Sequence, residues 1–146
     1  MTLNPYLNFK GNTEEAFNFY KSVFGGEFAM LMRFKEAPGQ EGCEEQNIAG
    51  NEPEKIMHIA LPIGESVLMA TDAVGAMAEK LTTGNNFSIS INAQSKQEAE
   101  RIFNGLSEGG NVTMPLADTF WGAYFGMLTD EFGVNWMINY DEKYSK

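Results

Sequence analysis

Cysteine and histidine are almost absent from this sequence of 146 residues, which contains one of each, Cys43 and His58. A single cysteine excludes a disulfide within the chain and is typical of proteins that work in a reducing cytoplasm. No serine or cysteine motif accompanies His58, so the sequence gives no support for a nucleophilic triad. Scaffolds stabilised by internal disulfides are therefore excluded, and a triad hydrolase has no support.

Positive charge is scarce as well. Ten Lys and Arg residues stand against twenty Asp and Glu residues, which gives a formal net charge of −10. Nucleic-acid binding requires a basic surface, and here the overall field has the opposite sign. An acidic surface attracts cationic ligands, although the same charge also serves solubility.

Long apolar runs are missing too. None approaches the roughly 18 residues that a membrane-spanning helix needs, and the start, MTLNPYLNFKG, has neither the basic nor the apolar region of a signal peptide. We therefore expect a soluble, cytoplasmic protein that does not bind membranes. Its length and its apolar share of 43% suffice for one domain with its own core.

What the chain does contain is an internal repeat. NTEEAFNFYKSVFGGE recurs 83 positions later as SKQEAERIFNGLSEGG, with apolar residues at three- and four-residue steps that predict two amphipathic helices. Each helix is predicted to begin at a polar cap with a glutamate three residues on, Asn12 with Glu15 and Ser95 with Glu98. A Gly-Gly pair after each stretch predicts the end of the helix.

Alternating segments around each helix predict β-strands. NPYLNF precedes the first helix and NNFSISIN the second; three further strands follow each helix, GEFAMLMRF, KIMHIALPIG and ESVLMATD, then NVTMPLADTFW, GAYFGMLTD and VNWMINYD. The order strand, helix and three strands thus occurs twice within one α+β domain, residues 1–146. We predict two βαβββ modules, residues 1–72 and 85–141, with a linker at 73–84. The segment 36–54, rich in Glu, Gly and Pro, is predicted to be a loop, either a lid or a poorly ordered connection.

Strand parity divides the side chains into two sets. The apolar set should pack beneath the helices: Leu7, Phe9, Phe87, Ile89, Ile91, Trp136, Ile138 and Tyr140. The opposite set is polar but uncharged: Asn4, Tyr6, Asn8, Asn86, Ser88, Ser90, Asn92, Asn135, Met137 and Asn139. Two such sheets can curve around a cleft that suits a neutral or weakly polar ligand; a plain solvated sheet gives the same pattern.

Methionine is frequent in the predicted strands, at Met30, Met32, Met57, Met69, Met114, Met127 and Met137. Its flexible thioether adapts a pocket to varied ligands, and it also fills irregular gaps in a core. The sequence alone leaves both roles open for each of these residues.

The stretch DTFWGAYFG, residues 118–126, crowds four aromatic residues around Gly122. The glycine is expected to form a tight connection between two strands, and aromatics beside it give a flat surface for organic rings. Asp118 offers an acceptor or a counter-charge. We interpret the stretch as a pocket wall; a dimer contact or packing against the other module is the alternative.

These motifs carry a resemblance to a known superfamily. YLNFKGNTEEAFNFYKSVFGGE, KIMHIALPIGESVLMATDA and VTMPLADTFWGAYFGMLTDEFGVNWMIN resemble the vicinal oxygen chelate superfamily of glyoxalase I, extradiol dioxygenases and bleomycin-resistance proteins, and within it the PhnB-like branch. The resemblance implies two curved mixed sheets around a cleft, and a homodimer. Some members of the branch carry a demethylubiquinone methyltransferase-like label. The chain has no glycine-rich strand-to-helix turn for a nucleotide cofactor, so nothing indicates S-adenosylmethionine.

Metal-using members of the superfamily take four ligands from the first and last strand of each half. Matching by helix and strand register places Asn4, Met69, Asn86 and Met137 at those positions. Two amides and two thioethers make a very poor site for Zn, Ni or Fe, which prefer imidazole, carboxylate or thiolate. We therefore expect no metal and no other cofactor.

His58 is expected to share a strand face with Ile56 and Ala60, as a general base, a ligand-gripping donor or simply a satisfied, partly buried imidazole. The predicted ligand-binding residues are Tyr6, Asn8, His58, Met69, Asn86, Ser88, Trp121, Phe125 and Met137.

Three functions stay open. The first is a metal-free protein that binds a small organic molecule, with cationic ligands favoured by the acidic surface. The second is a glyoxalase- or dioxygenase-like enzyme, which is either metal-dependent or uses His58 and Asp118 as candidates for proton transfer. The third is a structural or regulatory dimer with a vestigial pocket.

Overall fold

The chain divides into two units, Met1–Thr82 and Thr83–Lys146. The structure, a computed structural model, describes residues 1–36 and 53–142. Cys43 and nearly all of the predicted loop 36–54 lie outside the described residues, so the lid interpretation is not addressed. Among the described residues, no helix is long and apolar enough to cross a membrane.

The first unit is a four-stranded sheet with one long helix. Its elements are β1 (Tyr6–Phe9), α1 (Thr13–Phe24), β2 (Met30–Arg33), a 3-10 helix (Phe34–Glu36), β3 (Ile56–Ile63), β4 (Ser66–Asp72) and the short helix α2 (Ala76–Lys80). The strand order is β1-β4-β3-β2. β1 runs parallel to β4, and the other pairs are antiparallel.

The second unit repeats this plan. Its elements are β5 (Ile89–Asn92), α3 (Lys96–Ser107), β6 (Asn111–Asp118), β7 (Tyr124–Thr129) and β8 (Asn135–Tyr140), and the strand order is β5-β8-β7-β6 with β5 parallel to β8. α1 and α3 begin 83 residues apart, as the repeat predicts. Two four-stranded mixed sheets, each with a βαβββ order, confirm the predicted α+β fold class.

Each long helix packs on one face of its own sheet. α1 contacts β3 and β4, and α3 contacts β6, β7 and β8. Their buried residues recur at three- and four-residue steps: Ala16, Phe17, Tyr20 and Val23 in α1, and Ala99, Ile102, Phe103 and Leu106 in α3. Leu7, Phe9, Trp136 and Ile138 are buried on the facing strands, which confirms their predicted parity.

The two helices begin differently. At α3 the predicted cap forms, because the Ser95 Oγ accepts a hydrogen bond from the Glu98 N–H at 3.0 Å, but the Glu98 carboxylate accepts the Gln94 N–H at 2.9 Å and not the Ser95 N–H of a full capping box. At α1 the prediction is wrong, since the Asn12 side chain makes no capping bond. The Asp72 carboxylate, at the end of β4, accepts the Thr13 N–H at 3.0 Å instead. A long-range acceptor has replaced the local one.

The strand before α3 is shorter than predicted. β5 begins at Ile89, and Phe87, expected beneath the helix, is 63% exposed. The pairing with β8 begins at Ile89 opposite Trp136. Just before that point the Asn135 side-chain amide donates to the Phe87 carbonyl at 3.3 Å. The Asn135 side chain thus occupies the Phe87 carbonyl, which would otherwise bond to the β8 backbone if the strand continued. The alternation of buried and exposed side chains therefore ends at Ile89.

Candidate functional site

Each sheet has one face that its long helix does not cover, and we call these the first and second open faces. The first open face consists of the side chains that alternate with the buried positions along β1, β3 and β4. It also includes the residues of β2 that lie opposite the open-face residues of β3. The residues of the first open face are Tyr6, Asn8, Met30, Met32, His58, Ala60, Pro62, Val67, Met69 and Thr71. Four predicted ligand-binding residues, Tyr6, Asn8, His58 and Met69, therefore lie on one surface.

Tyr6 and His58 form the polar centre of the first open face. The Tyr6 hydroxyl lies 3.2 Å from His58 Nδ1, and the rings stack with centroids 5.7 Å apart. Burial raises the pKa of the Tyr6 phenol, and a hydrogen bond with Thr71 opposes this in part. When the phenol donates to Nδ1, the imidazole proton is on Nε2. His58 can then donate from Nε2 to an acceptor atom of a ligand.

The neighbours of His58 differ from the prediction in one respect. Ala60 shares its face, because it lies opposite Met30 and Met69, whereas Ile56 lies opposite Arg33 and belongs to the buried face. The pairing of β2 with β3 shifts between Met32 and Arg33, where Met32 lies opposite His58 and Arg33 opposite Ile56. This irregularity breaks the two-residue alternation, so parity counted from the sequence fails at Ile56.

The four positions implied for a metal do not form a suitable donor set. The Asn4 Oδ1 accepts the backbone N–H of Val67 at 3.0 Å and so extends the pairing of β1 with β4. Asn86 lies in a bend before β5, and the other two positions, Met69 and Met137, offer thioethers. Among the described residues, no three His, Cys, Asp or Glu side chains cluster as metal ligands. These donors do not fit a divalent cation of the glyoxalase type.

The second open face carries amides, thioethers and aromatic rings. Its residues are Ser90, Asn92, Met114, Ala117, Phe125, Met127, Thr129, Asn135, Met137 and Asn139. Met137 lies opposite Met127, Met127 opposite Met114, and Ser90 beside Met137 on the parallel side. Three thioethers thus form a row across the sheet. Met114 is exposed, and Met127 and Met137 are half-buried.

Amide groups border this row. The Asn139 Nδ2 donates to the Asn92 Oδ1 at 3.2 Å, and Asn139 pairs across the strands with Phe125. Asn135 is engaged on both sides, since its Oδ1 accepts the Thr129 hydroxyl at 2.7 Å while its Nδ2 binds backbone carbonyls. Hydrogen bonds thus fix the orientation of the Asn92, Asn135 and Asn139 side chains on this face.

The aromatic stretch forms the turn between β6 and β7. Gly122 has φ +97°, a backbone conformation that favours glycine, and its N–H donates to the Thr119 carbonyl at 3.2 Å. The predicted tight connection at Gly122 is thereby confirmed. Trp121 contacts Phe125 edge to face, with centroids 5.9 Å apart and planes at 64°, and Phe120 contacts Trp121 at 5.0 Å and 90°. We call these three residues the aromatic corner; Phe125 links it to the second open face.

Asp118 lies on the other side of the hairpin, towards α3. Its carboxylate is 3.2 Å from the Lys96 ammonium, and both side chains are more than half exposed. Lys96 also lies over the ring of Tyr124, whose hydroxyl donates to Glu100 at 2.9 Å. The hydrogen bond to Glu100 raises the pKa of Tyr124. Asp118 therefore has no part in the open face, and its candidacy for proton transfer gains no geometric support.

Two further predicted binding residues, Asn86 and Ser88, precede β5 and do not belong to a strand. Conversely, parity alone did not select Met127, Met114 or Thr71 as members of an open face. Met127 lies two residues after Phe125, so the same alternation could have found it. Met114 depends on the register of the irregular β6–β7 pair, which no local pattern reveals.

Neither strand-to-helix turn is open to a nucleotide. Before α1, the N–H groups of Gly11 and Thr13 both donate to the Asp72 carboxylate. Before α3, the Glu98 N–H donates to the Ser95 Oγ at 3.0 Å, and the Gln94 N–H donates to the Glu98 carboxylate at 2.9 Å. A phosphate or dinucleotide site needs these N–H groups free. The cradle that S-adenosylmethionine would use at such a turn is therefore missing here.

Comparison with known proteins identifies close relatives. The family model described as 3-demethylubiquinone-9 3-methyltransferase matches residues 1–139. Protein YjdN from Escherichia coli K12 is 34% identical over 142 residues, which cover 95% of each chain. Both matches span nearly the whole sequence.

Solved structures agree with the family match. Protein PA1353 from Pseudomonas aeruginosa is 41% identical with a TM-score of 0.78, covering 97% of this chain and 98% of its own. The putative 3-demethylubiquinone-9 3-methyltransferase, PhnB protein, from Bacillus cereus is 25% identical, with a TM-score of 0.73 and coverage of 96% and 99%. A glyoxalase/bleomycin resistance protein/dioxygenase family enzyme from Burkholderia phytofirmans shares the fold at 18% identity, with a TM-score of 0.60 and coverage of 92% and 95%.

Proposed function

This chain belongs to the family described as 3-demethylubiquinone-9 3-methyltransferase, the PhnB-like branch of the glyoxalase and bleomycin-resistance fold, and we propose that it binds a small organic molecule on its open sheet faces without a metal ion. One observation carries the proposal. The residues of the two open faces include no Asp, Glu, Lys or Arg, in a chain with twenty acidic and ten basic residues. A face that serves only as a solvated surface normally carries such charges.

The side chains on these faces indicate the chemistry of the ligand. Thioethers and aromatic rings supply polarisable, adaptable contact area. Amides and the Nε2 of His58 supply a few directed hydrogen bonds. Sites of this composition bind compact, neutral or weakly polar organic molecules. An aromatic ring with one or two acceptor atoms meets these requirements.

The metal-free part of the proposal rests on the donor set. Of the four implied ligands, Asn4 is engaged by the backbone of Val67 and Asn86 precedes its strand, which leaves two thioethers. Methyl transfer is not part of the proposal, because both strand-to-helix turns already bind protein groups. The proposal is therefore binding rather than chemistry on a bound cofactor.

A charge placed on an open face tests the proposal. Nile red, a neutral aromatic dye whose fluorescence rises in apolar surroundings, serves as the probe. Because burying a carboxylate beneath a ligand costs its desolvation, at least one of Met69→Glu and Met137→Glu is expected to weaken dye binding about tenfold or more. Met77→Glu is the matched control, since Met77 is 56% exposed on α2 and lies on neither face.

Fluorescence titrations of the four proteins give the dissociation constants, and circular dichroism checks that each variant is folded. Equal affinity in all four proteins would contradict binding at the open faces. If Met77→Glu lowered the affinity for Nile red as much as the two face variants, the cause would be a general charge effect, which would also contradict binding at the open faces.

A further inference from the structure

We propose that the aromatic corner, Phe120, Trp121 and Phe125, binds an alkylated ammonium group, so that the ligand carries a quaternary or tertiary amine attached to the neutral organic part that lies on the second open face. The inference rests on the proposed function and specifies its ligand class. It arises from the geometry of three rings that core packing does not explain. Phe120 is 97% exposed and Trp121 is 54% exposed, while most other aromatic side chains of the described residues are buried or half-buried.

The rings meet at angles that suit a cation. Phe120 and Trp121 are perpendicular at 5.0 Å, and Trp121 and Phe125 are inclined at 64° at 5.9 Å. An edge-to-face contact leaves a corner in which the faces of two rings look onto the same small volume. The face of an aromatic ring carries the negative part of its quadrupole. An ammonium ion in such a corner is attracted by two faces at once, as in aromatic cages for methylated amines.

The surrounding charge favours the same class of ligand. The chain has a net charge of −10, which raises the local concentration of cations. On the α3 side of the hairpin, the carboxylates of Asp118 and Glu100 lie next to Lys96 and Tyr124. Lys96 itself lies 4.9 Å from the ring centre of Tyr124, so the same hairpin already makes one cation–π contact. An anionic ligand would meet repulsion here.

Alkyl groups on the nitrogen are required by the exposure of the site. A primary ammonium is strongly hydrated and loses much of its solvation on contact with a ring, whereas a methylated ammonium is weakly hydrated and adds apolar contact area. The three side chains of the corner offer rings but no acceptor atom for N–H groups. It therefore selects methylated over primary amines.

Choline and its neutral isostere 3,3-dimethylbutan-1-ol test the inference, because they share a shape and differ in charge. The two tryptophans provide the readout in NMR spectra of their indole N–H groups. Trp136 is buried, and its Nε1 donates to Asp130 at 2.8 Å, so its signal reports the fold. Choline, titrated at constant ionic strength, is expected to shift the Trp121 signal saturably and to leave that of Trp136 unchanged. The neutral isostere is expected to bind roughly two- to fivefold more weakly.

Phe120→Leu removes one wall of the corner and should lower the affinity for choline. Phe87→Leu is the matched control, an exposed aromatic of the same unit outside the corner, and should leave it unchanged. Equal binding of choline and the alcohol would overturn the ammonium inference while the small-molecule proposal stands. The ammonium inference would also be overturned if choline caused no saturable shift of the Trp121 signal, or if Phe120→Leu bound choline as well as the parent protein. In either case the Nile red titrations test the proposed function independently.

Discussion

Replacement of Asp72 by alanine is expected to lower the free energy of unfolding by about 4 kcal/mol. The carboxylate is 3% exposed and accepts three backbone N–H groups: Gly11 and Thr13 at 3.0 Å on Oδ1, and Ile56 at 2.8 Å on Oδ2. These bonds join the end of β4 to the start of α1 and the start of β3. Alanine leaves the three donors without their acceptor in a buried site, and each orphaned group costs about 1–3 kcal/mol.

Urea denaturation followed by circular dichroism measures this loss. Asp118→Ala is the matched control, because Asp118 is exposed and makes a single surface ion pair with Lys96. Such pairs contribute little, so the control should stay within about 0.5 kcal/mol of the parent protein. A loss below about 1 kcal/mol for Asp72→Ala, or equal losses in the two variants, would show that the carboxylate does not hold these elements together.

Gly126→Ala is expected to destabilise the second unit by about 2–3 kcal/mol. Gly126 lies within β7, and a Cβ at this position would stand 2.7 Å from the Phe103 ring and 2.8 Å from the Leu116 Cα. Phe103 is buried on α3, and Leu116 belongs to the part of β6 where the pairing shifts between Met114 and Ala117. Neither a packed ring nor a backbone can retreat cheaply, so the added methyl group must separate helix and strand.

Gly84→Ala provides the matched control for this substitution. A Cβ at Gly84 would have its nearest neighbour, the Asn86 Oδ1, at 3.9 Å, and the backbone needs no left-handed φ. Thermal unfolding should place Gly84→Ala near the parent protein and Gly126→Ala well below it. Similar midpoints for the two variants would mean that α3 and β6 adjust to the extra methyl group, contrary to the packing described.

Local patterns predicted the two long helices and most of the strands because each depends on a short stretch of chain, but they missed the short helix α2, which lies in the predicted linker 73–84. The apolar steps in α1 and α3 and the alternation in β1 and β8 are of this kind. Features that depend on distant partners were beyond such reasoning. Asp72 caps α1 from 59 residues away in the chain. The sequence around Asn12 does not reveal that Asp72 accepts the Thr13 N–H in place of the Asn12 side chain.

The candidate site shows the same division. Parity placed Tyr6, Asn8 and Met137 on open faces because it needs only the strand itself. The row of methionines depends on which residues lie opposite one another, and that register is set by turns and bulges. Phe87 was misplaced because the end of β5 is determined by Asn135, a residue of another strand.

The central claim, that the open faces bind a small organic molecule, is tested most directly through the nine methionines. With the methyl groups labelled by carbon-13, each methionine gives its own NMR signal, and benzamide, a neutral aromatic amide, can be titrated into the unmodified protein. We predict saturable shifts for open-face residues, above all Met69, Met127 and Met137, and no shifts for Met1 and Met77, which lie off both faces. Shifts confined to Met1 and Met77, or none at any methionine up to the solubility limit of benzamide, would contradict the account.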